Sequence, residues 1–281
     1  MEAVTALTFP DLLALPLTEV SRVLAHSFEG YFVPLPDDPQ ALAARFRAEQ
    51  IDLAASFFAV TDTGEKVGLC LVARRGSLSR IAAMGILPQW RGQGVGEALM
   101  NRALAEARER GDSRAVLEVI EQNTPAVRLY EKCGFVKQRR LVGFERGDMQ
   151  GVPHASESLQ TVSLPEFAAH LPAEAWAAPW QLQPATLAGL AAPAQAFCIG
   201  EASGVVTVLP AVIVLRALYV PAAQRRNGAG RRFLQTIAAQ FPERRFSVPA
   251  LWPAGWADEF LHSQGFGPAQ LSQWEMGCAL K

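Results

Sequence analysis

Residues 85–100 read GILPQWRGQGVGEALM, an apolar run that breaks at Pro88 and passes through glycines and an arginine into a helical pattern. Gly92, Gly94 and Gly96 carry no Cβ, so an anion can approach the main chain closely there. The helix that follows aims its first N–H groups and the positive end of its dipole at the same spot. Arg91 adds a charged donor. Strand, bare loop and helix N-terminus in this order predict a phosphate-binding turn; the competing reading is a tight strand-to-helix turn with no ligand.

Two familiar phosphate loops can be tested on the spelling. A P-loop needs Gly-Lys-Ser/Thr, whereas Gly96 is followed by Glu97 and Ala98. A dinucleotide fingerprint starting at Gly92 needs glycine at 97, where glutamate stands. Neither spelling is met.

Outward from the loop, SRIAAMGIL (79–87) reads as the entering strand, with Gly85 a bulge or a point of close backbone approach. Val95, Leu99, Met100, Ala103, Leu104 and Ala107 form the apolar stripe of the helix that leaves it, with Gly111 just past its end. Upstream, SFFAVTDTGEKVGLCLVARRG (56–76) reads as a hairpin turning at Thr63 and Gly64. Downstream come the strand RAVLEVIE (114–121), a short helix with Pro125 in its first turn and Gly134 beyond it, and one or two closing strands over 135–146. Two helices precede the hairpin. The first starts after Thr18 as cap and shows Val20, Val23, Leu24 and Phe28 on one face; the second is capped near Asp38. Between them, Tyr31, Phe32 and Pro34 stand in a proline-rich aromatic loop that lies over a pocket or simply packs.

With 26 basic and 27 acidic side chains in 281 residues, no global field draws in nucleic acid or an anionic membrane, and neither partner is expected. The stretch 205–223 is nearly long enough to span a bilayer, but Pro210, Arg216, Pro221 and its β-branched residues make it two adjacent strands. The first twenty residues lack a basic n-region, so a cytoplasmic location is expected. Cys70, Cys133, Cys198 and Cys278 form no CxxC pair, which argues against a disulfide framework and against a metal site. Residues 148–160 turn polar and small, setting a boundary between domains 1–150 and 151–281. Beyond it the order strand, glycine loop, helix, strand and short helix repeats: Arg225 lies 134 positions after Arg91, and Gly265 lies 131 after Gly134.

The spelling R-x-x-G-x-G at Arg91, Gly94 and Gly96, preceded by GILP and followed by LEVIEQNTPAVRLYEKCGF (117–135), resembles the acetyl-CoA-binding core of the GNAT superfamily of N-acetyltransferases. The resemblance is clear from Ser56 to about Phe144 and returns diluted from about Phe197. It implies a mixed α/β chain of two tandem GNAT-like domains, each with a mostly antiparallel, splayed central sheet flanked by helices. It further implies that main-chain N–H groups across Arg91, Gly92, Gln93, Gly94, Val95 and Gly96 hold the pyrophosphate of coenzyme A. Met84, Gly85 and Ile86 would contact the pantetheine arm, an N–H near Ile86 polarising the thioester carbonyl, and Asn123 would reach the arm.

The implied reaction moves acetyl directly from acetyl-CoA to an amine of a small molecule or protein, with Tyr130 as general acid and no metal. Glu118 leads the candidate bases, ahead of Glu121, Glu29 and His26. Cys133, in a helix-to-strand turn, is expected to pack rather than to form an acyl-enzyme. The second copy keeps Arg225, Gly228 and Gly230 but has Leu261 where Tyr130 stands and no counterpart of Asn123, so it is expected to be degenerate. A monomer or homodimer is expected. The alternative reading is a non-catalytic binder of coenzyme A or acyl-CoA that serves as a scaffold.

Overall fold

The hairpin expected at 56–76 forms as β1 (Phe57–Val60) and β2 (Lys66–Arg75), antiparallel, with Gly64 at φ +85° in the turn. A computed structural model of the protein describes residues 6–147 and 159–280. Most of the linker expected at 148–160 therefore lies outside the described residues. The chain divides into two compact units, Met1–Gln138 with Trp274–Lys281, and Arg139–Gln273.

In the first unit, α1 (Leu17–Ser27) and α2 (Pro39–Glu49) precede the hairpin. Asp38 caps α2, its carboxylate accepting from the N–H groups of Gln40 and Ala41 at 2.9 and 3.0 Å. Thr18 does not cap α1: the helix begins a residue earlier, after Pro16, whose fixed φ sets the entry without a side-chain bond. β3 (Leu78–Ile86) pairs antiparallel with β2, and α3 (Val95–Glu109) follows the glycine loop and ends before Gly111 at φ +76°. β4 (Arg114–Ile120) then runs parallel to β3, and α4 (Thr124–Lys132) ends before Gly134 at φ +92°.

Leu99, Met100 and Ala103 of α3 bury against Phe57, Cys70, Val72 and Leu117, which places the loop's helix squarely on the sheet. The same core takes Met276, Cys278 and Leu280 from the far end of the chain. They lie in and just after the last strand, β11 (Gly267–Ala279), whose terminal part neighbours β4; Leu280 donates its N–H to the Ser113 carbonyl at 3.0 Å. The first unit is therefore not contiguous in sequence, whereas the second is.

The second unit repeats the plan. The closing segment of the first repeat forms a single strand, β5 (Val136–Arg146), antiparallel to β10. β6 (Gln160–Val162), α5 (Leu164–Ala169) and α6 (Pro184–Gly189) lead into β7 (Ala194–Ile199) and β8 (Ala202–Val208). β9 (Val212–Tyr219), α7 (Ala229–Gln240), β10 (Arg245–Pro253) and α8 (Asp258–Ser263) follow. The strand order is β5-β10-β9-β8-β7-β6, with only β9 and β10 parallel among the pairings described. The apolar stretch 205–223 is spent on β8 and β9, and no described helix is long and apolar enough to cross a membrane.

Met276 is fully buried in the first unit's core. Met276→Ala is expected to destabilise that unit by about 2–5 kcal/mol through lost burial and the cavity left behind. Hydrogen exchange should then rise in α3 and β4 and stay unchanged in β8 and β9.

Candidate active site

β3 and β4 pair only from Leu78↔Arg114 to Ile81↔Leu117. At that point the β2–β3 register shifts between Leu71↔Ala83 and Val72↔Ile81, so Ala82 is the extra, bulged residue. The bulge lies at Ala82; Gly85 is the close-approach point. A Cβ at Gly85 would lie 1.9 Å from Ser27 Oγ and 3.2 Å from Phe28 Cε2, so only bare backbone lets the end of α1 rest there. From Ala82 to Ile86 the side of β3 toward β4 is unpaired, and Met84 and Ile86 are half-buried along this open edge.

The loop follows from that edge. Gly92 and Gly94 adopt φ +76° and +85°, a left-handed region that L side chains enter only with strain. Gly94 is the N-cap of α3 and offers no side chain to the first N–H groups of the helix, which are left for a ligand or water. Gly96 is buried because a Cβ would press on Ile86 Cδ1 at 2.9 Å and Leu129 Cδ2 at 3.0 Å. Met84, Ile86, Val95 and Gly96 thus converge on α4. Gln93 is exposed, its amide donating to the Gln89 carbonyl at 2.7 Å. Arg91 turns back to the protein: its Nε donates to the Ile86 carbonyl at 3.2 Å, and its Nη2 to the carbonyls of Ser27 and Glu29, both at 3.1 Å. The arginine ties the loop to the end of α1.

Asn123 caps α4, its Oδ1 accepting from the Ala126 N–H at 3.3 Å, while its Nδ2 donates to Tyr31 Oη at 3.5 Å. Tyr31 is braced edge-on by Phe28 and Phe32, with centroids 4.9 and 5.4 Å away. Tyr130 lies on the buried face of α4 beside Phe135. Burial, reinforced by the nearby Tyr31, pushes its phenol well above the ordinary range, so it keeps its proton throughout the physiological range. Burial also raises the Cys133 thiol, the opposite of what an activated nucleophile needs.

Glu118 sits in a buried charge cluster that the sequence reading did not foresee. Its Oε2 accepts from Arg80 Nε at 2.7 Å, Arg80 Nη1 reaches Glu49 Oε2 at 2.6 Å, and Arg45 Nε reaches Glu49 Oε1 at 3.1 Å. Arg45 Nη2 also satisfies the carbonyl of the bulged Ala82 at 2.7 Å. Among the described residues, Glu118 Oε1 has no hydrogen-bond partner. Burial raises the Glu118 carboxyl despite Arg80, with Glu275 and Glu49 adding to the rise. For Glu49 burial also opposes the charge, but Arg45 and Arg80 outweigh it and hold the carboxyl at about 2. Of the weaker candidates, His26 and Glu29 are exposed and 3.6 Å apart. The missed signal was Arg80 itself, a charge within the apolar strand SRIAAMGI. Among the described residues no group of three His, Cys, Asp or Glu is placed to hold a metal.

Residues 20–135 match the acetyltransferase (GNAT) family model. A peptidyl-lysine N-acetyltransferase of Salmonella typhimurium is 34% identical over 120 residues, covering 40% of this chain and 74% of that one. The chain belongs to the GNAT acetyltransferase family. A mycothiol acetyltransferase of Salinispora tropica is 33% identical over 126 residues, with 41% of each chain covered, so the match spans about two fifths of that relative. A streptothricin acetyltransferase of Streptomyces lavendulae is 31% identical over 112 residues, 39% of this chain and 57% of that one. In fold, a tandem GNAT protein from the clavulanic acid biosynthesis pathway superposes at TM-score 0.70 over 98% of this chain and 99% of its own, at 16% identity.

The second copy keeps the backbone arrangement of the first and differs in the polar side chains around it. The bulge recurs at Arg216, and Arg225 Nε donates to the Val220 carbonyl at 3.0 Å, as Arg91 does to Ile86. Gly228 caps α7 at φ +79°, and a Cβ on Gly230 would meet Phe260 at 3.0 Å. By the same register Val214 and Pro249 stand where Arg80 and Glu118 do; Leu261 stands 131 positions after Tyr130, and the helix N-cap that Asn123 supplies in α4 is Ala257 in α8, with no side-chain bond.

The folded value of Glu49, about 2, lies below its ordinary 4.5. Its contribution to stability is therefore present in full above about pH 4.5 and is lost as the pH falls toward 2, an effect on the order of 3 kcal/mol. Glu118, shifted the other way, has the opposite sign. Urea midpoints measured from pH 6 to pH 2 should fall less steeply in Glu49→Gln than in the wild type.

Proposed function

We propose that the first unit is an acetyl-CoA-dependent N-acetyltransferase acting by direct transfer to an amine. The observation that carries the reading is the open β3 edge, which runs into a glycine loop with uncapped helix N–H groups and ends beside a buried, protonated Tyr130. The residues fit coenzyme A. Side chains at 92, 94 and 96 would strain or fill the cradle, and the unpaired main chain of Ala82–Ile86 suits an extended amide arm.

Main-chain N–H groups from Arg91 to Gly96 bind the diphosphate, and Met84, Gly85 and Ile86 border the arm. The Arg91 side chain serves a different end: it anchors Ser27–Glu29, which fixes Tyr31 over Asn123 as a wall of the acceptor side. Acetyl-CoA, when bound, supplies the acetyl group as a thioester. As the C–S bond breaks, Tyr130 donates its phenolic proton to the departing thiolate, and Glu118 accepts the amine proton on Oε1 while Arg80 holds its other oxygen. Burial makes Glu118 a stronger base than a solvated carboxylate. Support for a catalytic use comes from the second copy, where Val214 and Pro249 fill the places of Arg80 and Glu118, so the fold itself does not require the ion pair.

The relatives named above point to amines as different as a lysine side chain and streptothricin. Thiol release from acetyl-CoA, followed across streptothricin, lysine peptides and small primary amines, tests the activity. Release with none of them would favour a binding protein instead. With the best acceptor, Tyr130→Phe is expected to lower turnover about a hundredfold or more, with acetyl-CoA affinity within twofold of the wild type. Equal loss of affinity and turnover would remove Tyr130 from the acid role. Gly94→Glu should abolish acetyl-CoA binding in this unit by calorimetry.

A further inference from the structure

We infer that Glu49 is a positioning residue for Glu118: by taking one donor of Arg80, it keeps the guanidinium from closing on both oxygens of Glu118 and leaves Oε1 open for the amine proton. The inference rests on the reading of Glu118 as the proton acceptor.

An arginine beside a single carboxylate ordinarily forms two parallel bonds, one to each oxygen. Such a fork would occupy both oxygens of a base and hold it in its charged form. Glu118 escapes it. Its Oε2 accepts from Arg80 Nε at 2.7 Å, while Nη1 of the same guanidinium is drawn to Glu49 Oε2 at 2.6 Å. The Arg80 side chain is 3% exposed and that of Glu118 4%, so the two acids divide the donors with little solvent to compete. Glu118 is also the first residue of β4 past its last pairing with β3, Ile81↔Leu117, which sets it where the strands part.

Glu49 is itself held fast. Its Oε1 accepts from Arg45 Nε at 3.1 Å, and Arg45 Nη2 donates to the carbonyl of the bulged Ala82 at 2.7 Å. Glu49 is the last residue of α2, where the negative end of the helix dipole disfavours a carboxylate, so its two arginines must keep it in place. The free oxygen of Glu118 and the open edge of β3 are thereby tied to one residue, Ala82. The charges around Glu118 come from four elements: Arg80 on β3, Glu275 on β11, Glu49 and Arg45 on α2, and Arg75 on β2 near Arg80 and Glu49. Burial raises the Glu118 carboxyl, Arg80 opposes the rise, and Glu275 and Glu49 add to it. With the charge of Glu49 removed, the whole of Arg80 falls to Glu118, which then titrates lower and is the weaker base.

The test uses the full chain and the best acceptor, whose own ionisation is common to all variants. In kcat measured from about pH 5 to pH 9, Glu49→Gln should move the acid limb down by about half a pH unit or more and lower the plateau about tenfold, with KM for acetyl-CoA within about twofold of the wild type. Glu49→Asp keeps the charge with a shorter reach and should move the limb the same way by less; it carries the test if the melting curve shows that Glu49→Gln does not fold. Infrared titration of the free protein, read as a difference from Glu118→Gln, should show the same downward shift in the carboxyl band with no acceptor present. A limb and band that stay in place or move up, while Glu118→Gln loses turnover, overturn the inference and spare Glu118 as the base. Full turnover in Glu118→Gln overturns the reading of Glu118 and this inference with it.

Discussion

Two parallel strands that begin as partners and then part company set the geometry of everything around them. β3 and β4 hold together through four residue pairs, and then the extra residue at Ala82 turns β3 away. An open main-chain edge inside a protein is costly unless something satisfies it. Arg45 takes the bulged carbonyl of Ala82, and the end of α1 settles on Gly85 because no Cβ stands in its way. Beyond Ile86 the chain must turn sharply into α3, which is why Gly92 and Gly94 take left-handed conformations and Gly96 packs bare against Leu129. The glycine loop and the seat of α1 on β3 are thus two results of one interrupted pairing.

The buried charges near this split follow a different logic. Arg80, Glu49 and Glu118 lose hydration that their mutual attraction offsets only in part, and such clusters are commonly replaceable by apolar residues at no cost to the fold. The second copy is that replacement, with Val214 and Pro249 in register with Arg80 and Glu118. One oxygen of Glu118 is held by Arg80 and the other is left over. That asymmetry is what a proton acceptor requires and what a purely structural pair would tend to fill.

The helices, the hairpin and the loop were legible because each rests on local chemistry: Asp38 as a cap, Gly64 in a turn, Gly111 and Gly134 past helix ends. The repeat was legible because glycine and arginine recur at fixed spacing, and the structure places Gly228 and Gly265 in the same left-handed conformations as Gly94 and Gly134. Partners far apart in sequence were not legible. Nothing local says that Arg91 reaches back to Ser27 and Glu29, or that Arg80 joins residue 49 to residue 118. Of the two readings open for Gly85, close backbone approach is the one the structure takes, while the bulge falls at Ala82, where it is defined by β2 across the ladder. The start of α1 at Leu17 shows the converse case, a proline entry overriding a threonine cap.

The last strand makes the first unit depend on sequence beyond the second repeat. β11 begins among residues of the second unit, and from Trp274 it belongs to the first, where Met276, Cys278 and Leu280 fill the core around α3 and β4. A chain that ended after its first repeat would lack that strand and expose the apolar surface it covers. Folding of the first unit therefore requires a strand that lies beyond the second repeat in the chain. The second repeat has Leu261 and Pro249 where the first has Tyr130 and Glu118, while the backbone of its loop is held by Gly228 and by Arg225 on Val220.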